Sequence, residues 1–267
     1  MQYFDAHCHV QFSGYDEDRD DVLASMRDSA VGGLVVGTDL ESSRKALELV
    51  QGSDTLWASI GLHPNSAHEW EDADAYRALA NDPKVVAIGE CGLDNFRPED
   101  PNATKSKQRE VFEAHIQLAI ETGKPLVVHA RPSKGTMDSY LDALDLLTSY
   151  KREHGDRLRG DMHFFVGDVE TARGFIELDF TLSYTAVLTF ARDYDDVVRY
   201  APLTHLLSET DSPYVAPAPN RGKRNEPTAV IKVVEAIADI RREDSEAVRV
   251  HILENTRKLF TLPADSQ

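Results

Sequence analysis

Short apolar runs rich in β-branched residues recur along the whole chain, each followed by a polar or glycine-containing turn and then a stretch with helical periodicity. Such alternation predicts a parallel sheet with crossover helices. The strands are expected at Tyr3–Ala6, Leu34–Val36, Leu56–Ile60, Val85–Gly89, Leu126–Val128, Gly160–Met162, Phe180–Ser183 and Leu206–Ser208. Eight of them suit a closed α/β fold, the (β/α)8 TIM barrel, whose active sites lie at the C-terminal ends of the strands. Between the runs, Gln108–Glu121 places Val111, Ile116, Leu118 and Ala119 on one helical face, and Thr228–Ile240 does so with Val230, Val233, Val234 and Ile237. Thr122-Gly123 supplies a C-terminal stop for the first of these. Two loops stand out: an irregular, acidic, proline-containing insert at Arg97–Lys105, and a proline-rich loop at Pro213–Pro227 after the last strand.

Composition narrows this picture. A chain of 267 residues, 41% hydrophobic, suits one domain over 1–267, and no fixed repeat, low-complexity segment or linker divides it. Met1–Val10 lacks the pattern of a signal peptide, and no run of 18 apolar residues follows, so a soluble, cytoplasmic protein without membrane contact is expected. No obligate protein partner is evident. Cys8 and Cys91 are the only cysteines, too few for a disulfide framework. The charge balance, 29 basic against 46 acidic residues, is −17, which repels phosphate backbones, so any nucleic acid must be held locally. Acidic clusters such as Asp16-Glu17-Asp18 and the excess of 19 Arg over 10 Lys suggest salt adaptation, with an ordinary acidic enzyme as the alternative.

The candidate chemistry lies at the predicted strand ends. Asp5-Ala6-His7-Cys8-His9 ends the first strand, and residues two apart on an extended chain share a side, so both imidazoles can face the barrel mouth. Glu90, His129 and His163 each follow a strand directly, and Asp211 closes the eighth. Six convergent groups of this kind would repel one another without cations, which points to divalent metal.

These residues resemble the TatD-related deoxyribonuclease family, a branch of the metal-dependent hydrolases, over almost the whole chain. The similar segments are Phe4-Asp5-Ala6-His7-Cys8-His9, Gly61-Leu62-His63-Pro64, Gly89-Glu90-Cys91-Gly92-Leu93-Asp94, Gln108 with Phe112, and Val128-His129-Ala130-Arg131. Further on come His163-Phe164-Phe165-Val166-Gly167, Glu209-Thr210-Asp211-Ser212-Pro213-Tyr214, the highly specific Arg221-Gly222-Lys223-Arg224-Asn225-Glu226-Pro227, and Asn255-Thr256-Arg257-Lys258-Leu259-Phe260. Phe164 stands where the family often has Cys, and Asn95-Phe96 replaces an aromatic pair. The resemblance implies two divalent ions, with Zn, Mn and Mg all open. It implies His7, His9 and Asp211 on one ion, His129 and His163 on the other, Glu90 bridging, and His63 on the substrate or its phosphate. The implied reaction is phosphodiester hydrolysis by two-metal activation of water, on DNA cut from a single-stranded end, with Asp211 accepting a proton. Hydrolysis of another ester, an amide or a lactone is the alternative, and a metal-dependent binding protein without catalysis a third reading, disfavoured by retention of Asp211.

Other polar residues are expected to be bland. His115 reads as a helix-face residue, His205 lies at the far end of the barrel, and His68, His154 and His251 read as surface groups. Cys8 should point into the barrel wall and Cys91 into packing. Arg131 can reach the mouth, and Arg221, Lys223 and Arg224 form a basic patch suited either to phosphate or to a clamp on Glu209 or Glu226.

If the acidity is salt adaptation, screening over about 3 Å at 1 M salt relieves self-repulsion, and the melting temperature rises through molar KCl. A flat or falling melting curve removes that reading.

Overall fold

The computed structural model describes residues 1–96 and 101–263. Eight parallel strands form one sheet in chain order: β1 (Tyr3–Cys8), β2 (Val31–Val36), β3 (Leu56–Ile60), β4 (Val85–Asp94), β5 (Leu126–Arg131), β6 (Gly160–His163), β7 (Phe180–Tyr184) and β8 (Leu206–Ser208). The helices are α1 (Arg19–Asp28), α2 (Leu40–Val50), α3 (Asp74–Ala80), α4 (Pro101–Thr122), α5 (Asp138–His154), α6 (Val169–Glu177), α7 (Asp195–Tyr200), α8 (Val230–Arg241) and α9 (Ser245–Phe260). The fold is a (β/α)8 TIM barrel. No helix among the described residues is long and apolar enough to cross a membrane.

Every expected strand is present, and the corrections fall mainly at C-terminal ends. β1 runs to Cys8, β5 to Arg131 and β4 to Asp94, well past the apolar runs that marked them. Backbone pairing continues where polar residues take over, as in Gly92 opposite His129 and Asp94 opposite Arg131. Glu90 and His129 therefore lie inside strands, not after them. Asp211, expected to close β8, lies three residues beyond Ser208.

Two further expectations need correction. Residues 101–105 of the supposedly irregular insert open α4, while Arg97–Asp100 lie outside the described residues. The helix expected from Thr228 begins as a 3-10 turn at Pro227–Ala229 and becomes α-helical only at Val230. The predicted stop holds: α4 ends at Thr122, and Gly123 adopts a φ of 68°.

β8 is too short to close the barrel by itself, and the seam is made beyond it. Asp211 N donates to His7 O at 2.9 Å and His9 N to Ser212 O at 2.8 Å. Below these bonds, the Asp5 carboxylate accepts from Thr210 N at 2.8 Å and from Thr210 Oγ1 at 2.5 Å. Burial pushes the Asp5 carboxyl well above the usual carboxylate range, against the lowering effect of the Thr210 bonds.

Inside the barrel, Phe4, Ala6, Leu34, Val36, Trp57, Val127 and Leu207 pack with Leu259, Phe260 and Leu262 at and beyond the end of α9. The rings of Phe4 and Phe260 are 6.4 Å apart near the start of β1, so α9 closes the N-terminal end and leaves the opposite mouth to polar groups. Asn255 strengthens this closure by donating to Leu203 O and Leu206 O at the entry to β8. Cys8 and Cys91 are free, buried and packed in the outer layer between sheet and helices, Cys8 as strand parity required and Cys91 as a packing residue.

His115 is no ligand, yet it is fully buried. Its Nδ1 donates to Val111 O at 2.8 Å, and its Nε2 accepts from Leu62 N at 3.1 Å, an arrangement only the neutral ring allows. Burial pushes its pKa down to about 4 from the usual 6.5. Because the unfolded ring takes up a proton that the folded ring refuses, this contribution to stability is present above pH 6.5 and is lost as pH falls towards 4. Replacing His115 with Leu orphans the Leu62 N–H and is expected to cost about 1 to 3 kcal/mol at neutral pH. It should also flatten the pH dependence between 6.5 and 4 relative to the parent. Denaturant unfolding of both proteins at pH 7.5 and pH 5 measures the difference; parallel pH profiles contradict the assignment.

Candidate metal centre

β1 aims two imidazoles into the mouth: the Nε2 atoms of His7 and His9 lie 3.1 Å apart. His9 is oriented by Nδ1, 2.7 Å from Val36 O, and by stacking on Phe12 at 4.5 Å. His7 stacks on His163 at 3.5 Å, and its buried Nδ1 has no hydrogen-bond partner. Between them and the far side of the mouth stands Glu90.

Its position comes from a one-residue slip in β4, where Ile88 faces Leu126 but Cys91 faces Val128. The glycines on either side are obligatory. Gly89 has φ 141° and a Cβ there would come 2.3 Å from Val127 O; Gly92 has φ 139° and its Cβ would come 2.1 Å from His129 O. The Glu90 carboxylate lies 3.3 Å from His7 Nε2, 4.0 Å from His9 Nε2, 3.5 Å from His63 Nε2, 2.8 Å from His129 Nδ1 and 3.8 Å from His163 Nε2. Asp211 Oδ1 completes the near side, 3.5 Å from His9 Nε2 and 4.0 Å from His7 Nε2. Its φ of 54° is one that aspartate tolerates better than most residues.

The donors fall into three groups with ligand atoms within 4.8 Å of one another: His7, His9 and Asp211; His7, Glu90 and His163; and His63, Asp94 and His129. The first matches expectation. His129 and His163, expected to share an ion, fall in different groups, and Glu90 is the group that reaches both. Asp94, which the sequence offers only within the Gly89–Asp94 motif, places its Oδ2 3.2 Å from His129 Nε2. The missed signal was parity, since Asp94 follows Glu90 by four residues on one strand and so keeps its face. Glu209, seen from sequence only as a possible clamp partner, lies fully buried with Oε1 2.9 Å from His163 Nδ1.

Electrostatics make these groups suitable for cations. Burial pushes the Glu90 carboxyl up, but the imidazoles of His63, His7 and His129 more than reverse this and hold it well below the usual range. Asp211 is likewise raised by burial and brought down by His9 and His163. Burial, with His163 adding to it, lowers the pKa of His7, and burial with His129 lowers that of His63 to about 4. The neutral imidazoles of His7 and His63 beside the ionised Glu90 and Asp211 are donors that fit divalent metal. His129 and His163 differ: against burial, Asp94 and Glu90 raise His129, and Glu209 with Glu90 and Asp211 raises His163 to about 10, so a cation on these rings must displace a proton.

Around the rim, His63 is anchored by His63 N to Thr38 O at 2.8 Å and by Asn65 N donating to its Nδ1 at 3.1 Å. The Arg131 guanidinium lies 4.2 Å over the Phe96 ring and that of Arg221 lies 4.0 Å over Phe190. Neither has a carboxylate partner among the described residues. The expected basic patch divides here. Arg224 is the clamp, held on Asp18 at 2.7 and 2.5 Å and on Glu226 at 3.1 Å, but not on Glu209, whereas Lys223 is exposed. His68 and His251 are surface residues, and His205 pairs with Asp179 at 3.5 Å.

Comparison with known proteins identifies the family. A family model described as TatD related DNase matches residues 4–261. An uncharacterized metal-dependent hydrolase of Bacillus subtilis (strain 168) is 35% identical over 264 residues, covering 97% of this chain and 99% of its own length. Another, from Escherichia coli (strain K12), is 36% identical over 271 residues, covering 99% of this chain and 97% of its own. Among solved structures, a TatD homologue from Escherichia coli K12 superposes with a TM-score of 0.88 at 26% identity, covering 98% of this chain and 99% of its own. The chain thus belongs to the TatD-related DNase family of metal-dependent hydrolases.

Proposed function

We propose that this hydrolase binds two divalent cations, drawn from Zn, Mn and Mg, and cleaves phosphodiesters at single-stranded DNA ends as an exonuclease. The observation that carries the reading is the single Glu90 carboxylate within 4.0 Å of five imidazoles, with Asp211 beside them. His7, His9 and Asp211 would hold one cation, His129 and His163 the other, with Glu90 between. Bound cations supply Lewis acidity that activates water and neutralises phosphate charge.

The side chains divide the remaining work. The Asp211 side chain is 14% exposed against 4% for Glu90, so Asp211 is the carboxylate that meets water and substrate and accepts the proton. Glu90 stays inside and balances charge. Since His63 Nδ1 accepts from Asn65 N, the neutral ring carries its proton on Nε2, where it can donate to a phosphate oxygen. Arg131 and Arg221, steadied on aromatic rings, offer N–H edges for further phosphate oxygens, with Lys223 nearby as a third cation. A net charge of −17 disfavours long-range attraction of a polyanion, which favours a strand end held at a few contacts over a long duplex tract.

End-labelled single-stranded DNA incubated with Mg, Mn or Zn, beside small esters, amides and lactones, tests the substrate class. Turnover of the small substrates with intact DNA transfers the site to the alternative hydrolase reading. Replacing His7 and His9 together with Ala is expected to remove one metal equivalent selectively; unchanged metal content contradicts the ligand assignment. Asp211→Asn keeps an oxygen for coordination but loses the proton acceptor. It is expected to fold, retain the cation on His129 and His163, and lose roughly 10² to 10⁴ in rate. Near-parental turnover in a folded, metal-loaded variant rules out the role.

A further inference from the structure

Every imidazole offered to a cation has a second ring nitrogen, and what holds that nitrogen differs between the two sides of the centre. On the near side His9 Nδ1 rests on a backbone carbonyl, Val36 O, at 2.7 Å, and His7 Nδ1 has no hydrogen-bond partner. On the far side both second nitrogens meet carboxylates. Asp94 Oδ2 is hydrogen-bonded to His129 Nε2 at 3.2 Å, and Glu209 Oε1 lies 2.9 Å from His163 Nδ1 as an ion-pair contact that is not aligned as a hydrogen bond.

These carboxylates are buried and themselves held. Asp94 Oδ1 accepts from Phe96 N at 2.9 Å, and Gln108 brackets the same residue through Asp94 N and Asp94 O at 2.9 and 3.1 Å. Glu209 Oε1 accepts from Phe164 N at 2.8 Å, and Oε2 accepts from Ser183 Oγ at 2.6 Å. Ser183 Oγ lies 2.6 Å from Asp161 Oδ2 as well, tying β6 and β7 to the segment after β8. The two rings also turn opposite nitrogens towards Glu90, Nδ1 of His129 and Nε2 of His163. In each ring the nitrogen that faces away from Glu90 is the one that meets a carboxylate.

From this geometry we infer that Asp94 and Glu209 are positioning residues for one cation only, orienting His129 and His163 and strengthening them as donors, while the His7–His9–Asp211 side depends on neither. Outer carboxylates of this kind typically contribute 10- to 100-fold to metal affinity. The inference rests on the ligand set proposed above, and it predicts two unequal sites.

The test is equilibrium Mn2+ binding to metal-stripped protein, with the melting temperature of the metal-free form measured alongside. D94N and E209Q keep side-chain size and an acceptor oxygen for Phe96 N and Phe164 N. Each is expected to bind one equivalent like the parent and the other about 10- to 100-fold more weakly, with activity restored by excess Mn2+. The double substitution of His7 and His9 by Ala should spare the equivalent that D94N and E209Q weaken. Parental affinity for both equivalents overturns the inference and leaves the ligand set standing. Equal weakening of both, with a lowered metal-free melting temperature, makes Asp94 and Glu209 structural and also overturns it. A parent that binds fewer than two equivalents overturns the ligand set, and this inference falls with it.

Discussion

A carboxylate only 3% exposed has to remain ionised at the centre of this barrel, and much of the surrounding structure follows from that demand on Glu90. An isolated buried charge costs several kcal/mol, so the position is tenable only where positive or ligated partners surround it. Five imidazoles do so: His7, His129 and His163 from three strands, and His9 and His63 from the loops just beyond β1 and β3. Close strand approach is the geometric counterpart. Gly89 and Gly92 admit the β5 backbone, and a Cβ at Gly61 would come 2.6 Å from Gly89. The register slip, the glycines and the histidines thus express one requirement.

The seam of the barrel serves the same centre. Because β8 stops at Ser208, the chain is free to turn at Asp211, while the Asp5–Thr210 bonds fix where that turn occurs. The loop beyond is stapled from outside: Asn225 Nδ2 donates to Thr210 O and Val215 O, and Tyr15 donates to Asn225 O at 2.6 Å. Arg224 adds its clamp on Asp18. Arg224 and Asn225 of the distinctive Arg221–Pro227 segment therefore brace the loop that carries Asp211, while Arg221 and Lys223 stay exposed.

In so acidic a chain, cations at the mouth would normally be neutralised by neighbouring carboxylates. Stacking Arg131 and Arg221 on Phe96 and Phe190 orders the guanidinium groups without consuming their charge. The aromatic rings thus preserve a local positive rim against a net charge of −17.

The sequence by itself determined whatever depends on short-range geometry. Strand parity turned His7 and His9 inward and Cys8 outward, apolar periodicity marked every strand and the two helices named, and Thr122-Gly123 ended α4 where expected. Polar residues at the mouth concealed the true ends of β1, β4 and β5, because pairing with a neighbouring strand, not local hydrophobicity, extends a strand there. Closure of the barrel decided the rest. It joined Asp5 to Thr210 across 205 positions, His115 to Leu62 across 53, and Arg224 to Asp18 across 206. It also set Asp94 against His129 and Glu209 against His163. Spacing along the chain can put Asp94 on the face of Glu90 but does not name such partners, since they become neighbours only when separate strands are brought side by side.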